Sequence, residues 1–301
     1  MPVQDKCMLC PRNCQALRYL GETGYCGASS KLRVARAALH HWEEPPVSGT
    51  KGSGTVFFSN CPLRCAYCQN HLISLGSFGV DISVHKLGGI MHGLAMQGAH
   101  NINLVTATQY TDEVVRAVRI ARELGLSVPV IWNSSAYETT RTIKLLEDTV
   151  DAYIFDYRYD SSELAYKYSA AADYPSVAIE AIAAAYDLVG GYRLDSQGLL
   201  ASGLIVRFLL LPDQLDEATR CVDKVFSLFG NTVCYSLLGQ YTPIVGIGDR
   251  FPELGAKVDP WHYDLLIDHV LDLGITHSYM QEEGSDDSSF IPDFDLTGVD
   301  G

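Results

Sequence analysis

From Gly54 onward, apolar and polar positions alternate in blocks. Short apolar runs of strand character occupy residues 55–58, 102–105, 128–132, 152–155, 204–211, 233–238 and 275–279. Longer stretches with helical spacing lie between them, for example at 112–124, 137–146, 215–229 and 261–273. Their ends carry stop and start chemistry. Ser135 and Glu138 fit a capping box, Asp259-Pro260 gives an N-cap followed by proline at the first helical position, and Gly125, Gly230 and Gly274 stand where helices end.

Alternating strands and helices predict an α/β fold with a parallel sheet and helices outside it. About six or seven units predict a partial (β/α)6 TIM-like barrel rather than a full ring of eight. Chemistry in such folds gathers at the carboxyl ends of the strands, here Asn60, Thr106, Asn133, Asp156, Leu211 and Gln240. Residues 1–50 break the pattern. They hold four cysteines and the run His40-His41-Trp42-Glu43-Glu44-Pro45-Pro46, and are too short for a core of their own. The expected division is a small cysteine-rich N-terminal extension (1–50) stapled by metal, a barrel (51–280), and an acidic tail (281–301) whose segment Phe290-Ile291-Pro292-Asp293-Phe294-Asp295 folds back.

Composition narrows the function. Of 301 residues, 47% are hydrophobic, which suits one large core. A formal charge of −14 excludes a nucleic-acid partner held through its phosphates. No apolar run reaches the roughly 20 residues that span a bilayer, so no membrane association is expected. The first ten residues lack a basic segment followed by an apolar one, and the expected location is cytoplasmic. In that reducing compartment the nine cysteines are not expected to form disulfides. Seven fall into two tight groups, a spacing for metal or cluster ligation.

The central group reads Asn60-Cys61-Pro62-Leu63-Arg64-Cys65-Ala66-Tyr67-Cys68, C-x3-C-x2-C directly after a strand. Three thiolates hold three irons of a 4Fe-4S cubane and leave one iron open. Zinc is the alternative, with His71 as a fourth ligand. The N-terminal group, Cys7, Cys10, Cys14 and Cys26, offers four soft ligands to either zinc or an auxiliary 4Fe-4S cluster. Cys221 and Cys234 stand alone and read as buried, inert thiols.

The C-x3-C-x-aromatic-C motif resembles that of the radical S-adenosylmethionine superfamily. Cys7-Met8-Leu9-Cys10-Pro11-Arg12-Asn13-Cys14, Trp42-Glu43-Glu44-Pro45-Pro46, the stretch from Gly98 to Thr106 and Gln240-Tyr241-Thr242-Pro243 resemble a branch related to the pyruvate formate-lyase activating enzyme. The resemblance covers nearly the whole chain. It implies a 4Fe-4S cluster on Cys61, Cys65 and Cys68, with S-adenosyl-L-methionine chelating the open iron. It also implies a flavodoxin- or ferredoxin-type electron donor, and reductive cleavage to methionine and a hydrogen-abstracting 5′-deoxyadenosyl radical. The implied substrate is a glycine of a protein partner, a glycyl-radical enzyme; a peptide or small molecule is the alternative. Outside the class, an iron–sulfur electron-transfer protein is disfavoured by the three-cysteine motif, and metal analysis would reveal a zinc-stapled interaction module.

The resemblance also suggests cofactor contacts. Tyr67 takes the aromatic position near the adenine. Thr106 and Thr108 lie where relatives carry a glycine-rich motif, and Asp156-Tyr157-Arg158 resembles a D-x-K motif with Arg for Lys. Asn133 and Ser134 end the third strand; helix capping is the competing role for Ser134. Arg207 interrupts an apolar strand and needs a partner, either the cofactor's carboxylate or Asp156. Phe208 stands where relatives often carry His. Gln240 and Tyr241 are weighed evenly as substrate-facing, and His40 as structural against functional. The stretch 194–202 and the acidic tail are expected to border the mouth.

Overall fold

A computed structural model describes residues 6–281 and 292–299. Ten strands form one sheet: β1 (Leu32–His40), β2 (Ser53–Phe58), β3 (Val80–Ile82), β4 (Ile102–Val105), β5 (Val130–Ser134), β6 (Ala152–Asp156), β7 (Arg193–Leu194), β8 (Leu200–Leu209), β9 (Cys234–Leu238) and β10 (Ser278–Met280). Their order is β10-β9-β8-β6-β5-β4-β2-β1-β3, with β7 paired to β8 and the sheet not closed. From β2 to β10 the central neighbours run parallel. Helices such as Val84–Met96, Thr111–Glu123, Tyr174–Val189, Leu215–Phe229 and Pro260–Asp272 make the crossovers. The expected α/β architecture is therefore present, as an open rather than closed sheet.

Side chains alternate across the sheet. Val56, Leu104, Trp132, Phe155, Val206 and Tyr235 belong to the main apolar core, which also includes residues of the flanking helices. On the other face, Ile131, Ile154, Ile205 and Cys234 pack around Val47. Val47 belongs to the short helix Pro45–Ser48, and its carbonyl accepts from Asn101 Nδ2 at 2.7 Å. The run from Glu43 to Ser48 thus covers the inner face and forms a floor. Above it the same face turns polar, with Asp156, Arg207 and Ser236 in register on β6, β8 and β9.

Several expectations need correction. β1 pairs antiparallel with β2, so residues 32–40 belong to the sheet and the cysteine-rich cap ends before them. Its arginines hid it: Arg33 and Arg36 face outward to Asp81 and Asp295 while Leu32, Val34, Ala35 and Ala37 are buried. No helix starts at Ser135. The helix is Thr140–Lys144, capped by Thr139, because the buried Glu138 carboxyl is taken by Thr108 and Trp132. The stretch 194–202 forms the β7–β8 hairpin at the amino end of β8, away from the mouth.

The tail does fold back where it is described. Ala37 N–H donates to Thr297 O at 2.9 Å, Leu296 N–H to Ala35 O at 3.1 Å, and Phe294 meets Phe57 edge-on. The expected acidic stretch and Phe290-Ile291 lie outside the described residues. Gly298 permits this strap: its φ is +72°, and a Cβ there would sit 2.0 Å from Ala37 O. Gly298→Ala should therefore cost about 1–3 kcal/mol, read as lost hydrogen-exchange protection at the Ala37 amide.

Candidate functional site

At the carboxyl ends of the parallel strands lies a cavity of about 540 Å³, within the size range of small-molecule sites. Cys61, Cys65 and Cys68 line it, on the loop after β2. That loop is set by left-handed backbone at Asn60 (φ +73°) and Arg64 (φ +58°). It is held from several sides. Gln109 Nε2 donates to the carbonyls of Ser59, Asn60 and Thr106, Gln69 Nε2 donates to Gln240 O at 2.8 Å, and Ala66 N–H to Tyr168 O at 2.7 Å. The Cys61 sulfur faces the amides of Arg64 and Leu63, and Cys68 faces Ser74 Oγ at 3.3 Å and the Asn70 amide. Burial, reinforced by neighbouring Cys65, pushes the Cys61 thiol up to about 12 and raises Cys68. Among the described residues no three or more His, Cys, Asp or Glu side chains are placed to share one metal ion. A cubane asks for something else, one thiolate per iron. His71, the alternative zinc ligand, is exposed and does not line the cavity.

Thr106, Asn133, Ser134, Asp156, Arg158 and Arg207 line the same cavity. Asp156 pairs with Arg158 at 2.6 Å. Two buried donors have no partner: Asn133 Nδ2 and Arg158 Nε. A ligand rich in acceptors would satisfy both, and a cofactor bearing a carboxylate and ribose hydroxyls is such a ligand. Together with three soft donors in the same cavity, this donor set fits a cluster with S-adenosylmethionine.

Arg207 corrects the expected pairing. Its partners are Glu43 and Glu44, with Nε to Glu44 Oε1 at 2.7 Å and Nη2 shared between the two carboxylates. The expected alternative, Asp156, is taken by Arg158 two residues on. Burial alone would raise the Glu44 carboxyl; the Arg207 guanidinium pulls it below its ordinary value. Asn103 Nδ2 donates to Glu43 Oε1 at 2.7 Å. Neither glutamate was singled out as Arg207's partner, because 163 residues separate Arg207 from Glu44.

Three other expected residues lie outside the cavity. Thr108 sits in the turn Thr108–Tyr110 with its hydroxyl on Glu138 at 2.6 Å. Tyr67 is buried beneath the loop, its hydroxyl accepting from Tyr159 at 2.8 Å, in a ring cluster with Tyr168 and Tyr241. Tyr241 turns inward and donates to Leu254 O, whereas Gln240 lines the cavity. His40 also lines it, and burial lowers its pKa, so it stays neutral at pH 7.

Cys7, Cys10, Cys14 and Cys26 surround a second, small recess with Arg12, Pro62, Thr108 and Gln109. The Cys10 sulfur faces the Arg12 amide and Cys26 the Ala28 amide, while burial pushes the Cys10 thiol up to about 12. Arg12 ties this cap to the central loop. It donates to Pro62 O at 3.1 Å, Leu63 O at 3.2 Å, Ser169 O at 2.7 Å and Ala170 O, and its guanidinium lies 4.1 Å from the Tyr25 ring centroid.

No family model matches the chain. An uncharacterised protein of Methanocaldococcus jannaschii is 25% identical over 246 residues, which cover 79% of this chain and 66% of that protein. Among solved structures, SuiB of Streptococcus suis matches with 11% identity and a TM-score of 0.48, over 74% of this chain and 47% of that one. The structure of native anSMEcpe with bound AdoMet and a Kp18Cys peptide matches with 9% identity and a TM-score of 0.47, over 78% of this chain and 61% of that one. The chain thus spans less than two thirds of each.

Proposed function

We propose that this chain is a radical S-adenosylmethionine enzyme. The observation that carries the proposal is one cavity lined both by three thiols and by two residues with unpaired buried donors, Asn133 Nδ2 and Arg158 Nε. Cys61, Cys65 and Cys68 would hold a 4Fe-4S cluster, which with S-adenosylmethionine on its open iron supplies reductive cleavage to a 5′-deoxyadenosyl radical. The chain's own part is placement. Amides of Leu63, Arg64 and Asn70 and the Ser74 hydroxyl donate to the sulfurs and favour the thiolate. Asn133 and Arg158 offer donors to the cofactor's acceptors, and Asp156 keeps Arg158 in place. The enclosing strand ends limit water.

An external one-electron donor of flavodoxin or ferredoxin type completes the scheme. The activating-enzyme form of this reading needs a glycine-bearing loop of a partner protein at the open mouth. A peptide or small molecule is the alternative substrate. Anaerobic incubation with glycyl-radical enzymes of the same organism separates them: the activase form requires a new doublet in the electron paramagnetic resonance spectrum, and a silent spectrum leaves the other substrates. No helix among the described residues is long and apolar enough to cross a membrane.

The N-terminal thiols are proposed to hold either zinc or a second cluster. Cys10→Ala should lower bound iron by about four per chain if it is a cluster, while sparing the central site. Unchanged iron with lost zinc identifies a structural staple.

A further inference from the structure

The floor of the cavity carries a charge that nothing among the described residues balances. Five formal charges line the cavity: Glu43, Glu44 and Asp156 against Arg158 and Arg207. Asp156 and Arg158 pair with one another. Arg207 is left to serve two carboxylates, and both are nearly inaccessible, with side-chain exposures of 9% for Glu43 and 4% for Glu44. One buried negative charge is in excess. His40 and His41 are other titratable groups lining the cavity; burial lowers the His40 pKa, with Arg207 and Arg36 adding to it, against the opposing pull of Glu43.

The proposed cofactors would not cancel this charge, because together they are themselves negative. A dicationic cubane core on three thiolates carries one net negative charge. S-adenosylmethionine chelating iron through a neutral amine and a carboxylate, with its sulfonium, carries no net charge. The excess at the floor is left for the substrate.

A second observation points the same way. Asn103 is fully buried, and its Nδ2 holds Glu43. The carboxylate fixes which end of the amide faces it, since the reverse orientation would oppose two acceptors. Asn103 Oδ1 is then an acceptor with no donor. Asn103 does not itself line the cavity, so its bare acceptor acts through Glu43, deepening the negative potential there and favouring a positively charged donor on the carboxylate's cavity side.

We propose that the substrate presents a cationic group, an ammonium or a guanidinium, to the Glu43 side of this floor. The inference rests on the radical S-adenosylmethionine reading and names the substrate class of that site. A free alkylamine and a lysine or arginine side chain of a peptide share this chemistry.

The test is calorimetric titration of the anaerobically reconstituted wild-type protein with S-adenosylmethionine present. The probes are pentylamine, pentan-1-ol and pentanoate, with a second arm of capped tripeptides carrying lysine or its neutral isostere norleucine. The amine or the lysine peptide should bind about tenfold or more tightly than its neutral counterpart. Preference in the first arm alone identifies a small-molecule amine; preference in the second identifies a peptide. Equal or tighter binding of the alcohol and norleucine probes, or of pentanoate, overturns the inference. Glu43→Gln should shrink the cation preference to about twofold or less; the wild-type panel decides even if that variant fails to fold. Cofactor cleavage is assayed in the same preparation. Its absence counts against the radical reading, whereas cleavage without cation preference counts against this inference alone.

Discussion

Cys65→Ala is expected to reduce the reductive conversion of S-adenosylmethionine to 5′-deoxyadenosine to background. Cys65 is the middle member of the triad and is buried on the cavity wall between Cys61 and Cys68. Two remaining thiolates leave two irons without protein ligands, and a cubane with a single open iron is no longer defined. The loop itself should survive the change. Its shape comes from Gln109 and Gln69, which bond backbone carbonyls, and from the left-handed residues Asn60 and Arg64. The check is product analysis by chromatography together with iron content and a thermal melt. Full cleavage activity in a folded variant would remove Cys65 from the ligand set.

The largest stability effect should come from Arg207→Met. The substitution keeps the bulk of the side chain but leaves Glu43 and Glu44 buried with no countercharge. Breaking a buried ion pair from one side costs about 3–5 kcal/mol, far more than the net worth of the pair. Acid should separate the two proteins further. In the wild type the Glu44 carboxyl is held below its ordinary value of 4.5, so its stabilisation is full above that pH and is lost as pH falls toward the lowered value. Without Arg207, burial dominates and raises the carboxyl, so protonation in mild acid relieves the variant. Denaturant midpoints should therefore stay level for the wild type from pH 7 down to the ordinary value of 4.5 and fall only below it, whereas those of Arg207→Met should hold or rise on acidification. Parallel curves would contradict the assignment of Arg207 as the floor's countercharge.

The parallel core was legible because its strands are buried on both faces and read as continuous apolar runs. Residues 102–105 and 215–229 were bounded to the residue by apolar pattern and turn chemistry. β1 was not, since a strand with two outward arginines lacks that pattern. The cysteines of the site were visible from spacing alone, being close in sequence. The floor was not. Its glutamates and Arg207 meet only after the chain has passed through the six strands from β2 to β7, and the pattern of charges says that Arg207 needs a partner without saying which. Thr108 was misplaced for a local reason: the turn at residues 108–110 rotates its hydroxyl toward Glu138, so only Thr106 reaches the cavity.

The central claim is tested most directly by anaerobic reconstitution of the wild-type chain, dithionite reduction and electron paramagnetic resonance with and without S-adenosylmethionine. The account predicts a brown protein bleached by reductant, a reduced-cluster signal that changes when S-adenosylmethionine is added, and formation of 5′-deoxyadenosine. A colourless protein containing zinc but no iron, or a cluster signal indifferent to S-adenosylmethionine with no cleavage, would contradict it.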